Sequence, residues 1–216
     1  MLIGKWNKSV ILTYVGLVFS VIGIYLSVKG VNVAYVLSCL VLAGVCDMFD
    51  GYVARKCKRD EDEKNFGIQL DSLVDTVSFV VFPIVILLGM GLNKWYNIVI
   101  YVLFEICGVC RLAYFNILVE DNSKPAHSYK GLPVTAAAAI FPAFYLLKYA
   151  LSKSCFNIVY SLVMLITAIL NILNINIKNY ELKIEKFKEK VSLFEDGKAS
   201  SRIVKIINEV MKNEKI

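Results

Sequence analysis

Histidine is almost missing from this chain: one, His127, stands among 216 residues, in a polar stretch. That leaves no histidine-rich metal centre, and Ser-His-Asp chemistry lacks a convincing set of parts. Cysteine is thinly spread. Cys39, Cys46, Cys57, Cys107, Cys110 and Cys155 fall mostly inside apolar runs. The CGVC at 107–110 has metal-ligand spacing, but no second Cys pair accompanies it, so these read as small packing residues. Charge is scarce as well. Only 19% of residues are charged against 57% hydrophobic, with a mean hydropathy of +0.61, too apolar for a soluble domain of this size. Internal repeats and low-complexity tracts are also lacking.

What the chain has instead is long apolar runs, near 9–28, 31–49, 68–90, 96–118, 132–150 and 156–176. A helix needs about 20 apolar residues to cross a bilayer, so the expected fold is all-α and polytopic with about six transmembrane helices. The first run exceeds a signal-peptide core and lacks a small-x-small cleavage site after it, so it reads as a span. The expected organisation is a membrane domain over 1–177 and a charged tail over 178–216. The tail carries apolar residues such as Leu182, Phe187, Val191 and Phe194, the pattern of a surface-lying or self-associating segment. With six spans, 20 of the 24 Lys and Arg fall on one side of the membrane. The basic side is cytoplasmic, which predicts a cell-membrane protein with both termini and the segment after the second span inside. The net charge of +6 then suits anionic lipid headgroups and calls for no nucleic acid.

Acidic residues within this oily sequence are placed in a pattern. Asp47 and Asp50 close the second run, and Asp71 and Asp75 open the third. Residues three or four apart share a helix face. The polar link from Lys56 to Phe66 turns the chain back, so the two pairs can face each other at one depth. The DEDE at 60–63 reads as a solvated loop. Four converging carboxylates repel, and each intramembrane charge costs at least about 2.5 kcal/mol. Hard divalent cations relieve this best, and four aspartates can bridge two such ions about 4 Å apart, as in phosphoryl transfer. Gly51 and Ala54 clear the surface beside the first pair, Gly67 clears the facing helix, and Arg55 offers a fork for phosphate oxygens. A phosphate-bearing, lipid-linked substrate fits this set.

The stretch Asp47-x₂-Asp50-Gly51-x₂-Ala54-Arg55-x₁₁-Gly67-x₃-Asp71-x₃-Asp75 resembles the signature of the CDP-alcohol phosphotransferases (CDP-alcohol phosphatidyltransferases), membrane enzymes of phospholipid synthesis. The likeness covers roughly residues 1–176. FGIQLDSLVDTVSF at 66–79, RLAYFN at 111–116 and KGLPVTAAAA at 130–139 look most like the phosphatidylserine synthase branch. Val80 stands where that branch usually has Gly, Tyr114 where Arg is common and Thr135 where Pro is common, while Pro83 is kept.

The resemblance implies a reaction: an alcohol hydroxyl attacks the lipid-linked phosphorus of CDP-diacylglycerol, and CMP leaves. It implies Asp47, Asp50, Asp71 and Asp75 as ligands of two divalent cations, Mg²⁺ or Mn²⁺. It implies Asp75 as general base, and Gly51, Ala54, Arg55 and Gly67 as the nucleotide and diphosphate pocket. A dimer is common in the family. For the acceptor, L-serine is expected, with Arg111 to bind its carboxylate and Asn116 to add hydrogen bonds. The competing readings are snorkelling for Arg111 and helix capping for Asn116. Gly131 and Pro133 read as shaping the entry to the fifth span. Glycerol 3-phosphate, inositol or its phosphate, and choline remain alternative acceptors, the phosphorylated ones with Lys56, Lys58, Lys124 and Lys130 as extra cations. The non-enzymatic alternative is an ion path or metal sensor; a path would continue across the bilayer, and VAYVLSCLVL and VFPIVILLGM in the outer halves of the second and third spans hold no Asp, Glu, Lys, Arg or His.

Overall fold

The computed structural model describes Gly4, residues 7–120 and residues 131–173. The tail from 178, His127, Lys124 and Lys130 lie outside the described residues. Helices and turns make up everything described. A 3-10 turn, Lys8–Val10, leads into α1 (Ile11–Val28). Next come α2 (Val33–Lys56), α3 (Glu61–Asp75), a π-helical turn (Thr76–Val81), α4 (Phe82–Gly89) and α5 (Trp95–Glu120). Then α6 (Ala137–Tyr145) stands between 3-10 turns Val134–Ala136 and Leu146–Tyr149, and α7 (Lys153–Ile172) follows.

Among the described residues, five helical stretches are long and apolar enough to cross a membrane: Lys8–Val28, Val33–Lys56, Glu61–Gly89, Trp95–Leu118 and Lys153–Ile172. The run at 132–150 forms a shorter, composite helix, Val134–Tyr149. Pro142 sits inside it, where a missing N–H and a bulky ring work against a long α-helix. Its 3-10 ends rise faster than an α-helix, so the 16 residues reach about 27 Å, close to the ~30 Å of a bilayer core. Large apolar side chains such as Ile11, Val18, Val41, Leu103 and Ile166 are exposed around the bundle, as a lipid-facing surface requires.

Inside, Leu40, Phe79, Phe82, Phe104, Phe141, Tyr160 and Met164 form the core. With little hydrophobic drive between helices in lipid, close approach at small residues holds the bundle. A methyl group on Gly44 would lie 2.5 Å from Cβ of Ala138, and one on Gly108 would lie 2.8 Å from both γ-carbons of Val80. Buried hydrogen bonds add to this: Ser161 donates to Asn97 Oδ1 at 2.8 Å, joining α7 to α5. Gly131 adopts a φ of +81°, and Leu132 N–H donates to the carbonyl of Leu170. That turn ties the entry to α6 onto the end of α7, as expected of Gly131.

Two local structures depart from the sequence reading. The acidic DEDE is the start of a helix. Asp60 caps α3 by accepting from the N–H of Glu63, whose side chain reaches back to the N–H of Asp60. This reciprocal pairing and three acids in the first turn favour a helix N-terminus, so the link between α2 and α3 shrinks to Cys57–Asp60. The third run is also not one regular helix. After Asp75 it widens, and Phe82 N–H donates to the carbonyl of Val77, five residues back. Pro83 has no N–H to continue an α-helical ladder, and its ring would crowd the carbonyl of Phe79; the wider turn absorbs both.

Candidate active site

The aspartates come together by helix geometry. Asp47 and Asp50 share a face of α2, Asp71 and Asp75 share a face of α3, and α2 and α3 run in opposite directions. Pairing is therefore crosswise: the carboxyl groups of Asp47 and Asp75 are within hydrogen-bonding reach, as are those of Asp50 and Asp71. All four line one pocket with Thr13, Gly16, Ala43, Val74, Ser78 and Phe79. Asp50 and Asp75 are buried, each 8% exposed, while Asp47 and Asp71 are half-buried.

One carboxylate oxygen from each of Asp47, Asp71 and Asp75 falls in a cluster whose members all lie within 4.8 Å of one another. Asp50 is held differently: Thr13 Oγ1 donates to its Oδ2 at 3.0 Å, between two buried residues. Three clustered hard oxygens with a fourth carboxylate alongside form a donor set suited to a divalent cation. The residues present fit such an ion.

Helix α1 forms the third wall. A methyl group on Gly16 would lie 3.3 Å from Cβ of Cys46 and 3.6 Å from the carbonyl of Ala43, so glycine lets α1 lie close along α2. That approach carries Thr13 to Asp50. Two turns beyond Thr13, Ser20 donates to Ser78 Oγ at 2.7 Å and pins the π-helical turn that follows Asp75. Thr13 and Ser20 were not singled out from the sequence. Their only signal there is a hydroxyl in an apolar run, and that does not say which helix it meets.

The remaining expected residues sort unequally. Gly51, Ala54 and Arg55 continue α2 beyond Asp50, and Gly67 lies one turn before Asp71. The bare face of Gly51 is open, with Nη1 of Arg55 3.9 Å from where a methyl group would stand. These four flank the aspartate pocket and do not line it. Arg111 is buried, 7% exposed, with its guanidinium 5.8 Å from the ring of Phe115; a snorkelling side chain would be exposed. Asn116 lies within α5 and caps no end. It accepts from Ser72 Oγ at 2.8 Å, beside Asp71. Neither Arg111 nor Asn116 lines the pocket.

A bundle of apolar helices that gathers four aspartates from two adjoining spans defines a multi-pass membrane protein with an acidic, cation-suited site. The chain belongs to the CDP-alcohol phosphatidyltransferase family, whose model matches residues 6–173. It is 36% identical over 127 residues to the archaetidylserine synthase of Methanothermobacter thermautotrophicus, covering 58% of this chain and 52% of that protein. It is 38% identical over 106 residues to the CDP-diacylglycerol–serine O-phosphatidyltransferase of Saccharomyces cerevisiae, 46% of this chain and 37% of that one. The Mycobacterium tuberculosis protein of the same name is 36% identical over 100 residues, with 44% and 34% covered. The chain thus matches about half or less of the length of these curated relatives.

Proposed function

We propose that this protein transfers a phosphatidyl group from CDP-diacylglycerol to the hydroxyl of L-serine, forming phosphatidylserine and CMP. The observation that carries the acceptor is that relatives from an archaeon, a yeast and a mycobacterium share serine in their names, although the archaeal one names a different lipid from the other two. The aspartate pocket supports the chemistry.

In this reading Asp47, Asp50, Asp71 and Asp75 hold two Mg²⁺ or Mn²⁺ ions. When bound, these neutralise the diphosphate and the CMP leaving group. The acyl chains stay in the bilayer beside the exposed apolar face, and Gly51, Ala54, Arg55 and Gly67 receive the cytidine diphosphate. The serine Oγ attacks the phosphorus that carries diacylglycerol. A new P–O bond forms, the bond to the CMP oxygen breaks, and the hydroxyl proton passes to a carboxylate oxygen of Asp75. Burial of Asp75 keeps water from competing for that position. Arg111 pairs with the serine carboxylate, and the Ser72–Asn116 hydrogen bond sets α5 against the helix that carries Asp71. In this reading the site faces the cytoplasm, which the basic-residue asymmetry supports.

The name of the archaeal relative favours one variation, an archaetidyl group on the donor. The test is incubation of membranes containing the full chain with labelled CDP-diacylglycerol or CDP-archaeol and each candidate alcohol in turn. Serine-dependent CMP release with a phosphatidylserine-type product is expected. Release with glycerol 3-phosphate, inositol, inositol phosphate or choline in place of serine would reassign the acceptor.

A further inference from the structure

Both glycines of the site have an arginine nitrogen at their bare face, but only one of those arginines belongs to the expected pocket. On α2, Nη1 of Arg55 is 3.9 Å from the place of a methyl group on Gly51. On α3, Nη1 of Arg59 is 3.6 Å from the place of a methyl group on Gly67, with Cγ1 of Val10 at 4.0 Å. Arg59 comes from the Cys57–Asp60 turn between the two aspartate helices. We propose that Arg59 is a second cation for the diphosphate of the donor nucleotide, the counterpart of Arg55 across the α2–α3 turn; this rests on the reading of the site as a CDP-lipid site.

The chain fixes the turn that presents Arg59. Asn7 Nδ2 donates to the carbonyl of Lys58 at 3.3 Å and to Oε2 of Glu63 at 3.0 Å, and Glu63 is itself tied to Asp60 by the capping pair. Arg59 is thus flanked on both sides by residues held in place. Its buried Nε has no hydrogen-bond partner among the described residues, so the protein does not tie the guanidinium down at that nitrogen, and the Nη1 end over Gly67 is the part that offers donors to a phosphate oxygen. Gly67 lies one helical turn from Asp71, so a group on its bare face sits next to the aspartate cluster. A diphosphate carries two anionic centres, and two guanidinium forks, one at the bare glycine of each aspartate helix, match them in number. Sequence spacing hides the pair, because Arg55 is four residues after Gly51 on one helix whereas Arg59 is eight before Gly67, across a turn.

The experiment is equilibrium binding of labelled CDP-diacylglycerol to the full chain in lipid nanodiscs with Mn²⁺, alongside the KM for serine. Arg59→Gln should weaken donor binding about 10-fold or more, the size of a lost charge-assisted hydrogen bond, and leave the serine KM within about twofold. Arg59→Lys should fall between, keeping the charge without the fork, and it reports even if Arg59→Gln fails to fold. Donor affinity within about twofold of wild type in either folded variant would overturn the proposal. Tight donor binding by the wild type without serine-dependent turnover would overturn the acceptor assignment and leave Arg59 in place. A wild type that binds no CDP-lipid would overturn both.

Discussion

Asp75 and Asp47 are both carboxylates in one cluster, yet their settings differ: Asp75 is buried at the start of the π-helical turn, and Asp47 is half-buried on α2. If Asp75 takes the serine proton, Asp75→Asn should lower kcat by about 10²–10⁴-fold with a smaller change in donor affinity. Measuring turnover and CDP-diacylglycerol binding on one preparation decides this. Equal loss of both would make Asp75 chiefly a ligand. Arg111 has its own prediction. A guanidinium holds a carboxylate through two directional hydrogen bonds that lysine cannot reproduce. Arg111→Lys should therefore raise the KM for serine several-fold and disturb CMP-dependent cleavage of phosphatidylserine less. An unchanged serine KM would remove Arg111 from the acceptor pocket. These residues were legible in the sequence because a carboxylate pair or an arginine in an apolar run stands out. Thr13 was not, since its meaning depends on the helix it faces.

At the scale of elements, the widened turn Thr76–Val81 carries α3 into α4 and sets Val80 against Gly108 of α5. Val80 is one of the residues that depart from the serine-synthase pattern, and Gly108 has the space that a valine there fills. Gly108→Ala should overpack this contact and cost about 1–3 kcal/mol, seen as a lower midpoint of thermal unfolding in detergent. Adding Val80→Ala should recover most of it. Failure of the second substitution to rescue the first would show that Gly108 is needed for another reason. Element existence was readable from the apolar runs, but the π-helical turn was not. It follows from Pro83 meeting a carbonyl ladder, and periodicity over a uniformly apolar run gives no sign of one added residue. The helix start at Asp60 was missed for the opposite reason. DEDE carried a capping pattern, Asp60 with Glu63 three residues on, but its charge density suggested a loop.

For the whole molecule, the six apolar runs became five full spans and one composite helix, and the two aspartate pairs met as their spacing required. The parts that sequence reasoning placed well are those fixed by one helix and its apolar surroundings: span length and helix face. The parts it placed poorly, Arg59 over Gly67 and Thr13 on Asp50, depend on contacts between elements. The central claim is that the four aspartates support cation-dependent transfer to serine. It is tested most directly by CMP release from labelled CDP-diacylglycerol in purified full-length protein, with and without L-serine, in Mn²⁺ or in excess EDTA, for wild type and Asp71→Ala. The account predicts release only from the wild type with both serine and Mn²⁺, abolished by EDTA and restored by added Mn²⁺ or Mg²⁺. Undiminished serine-dependent release in excess chelator, or from Asp71→Ala, would contradict it.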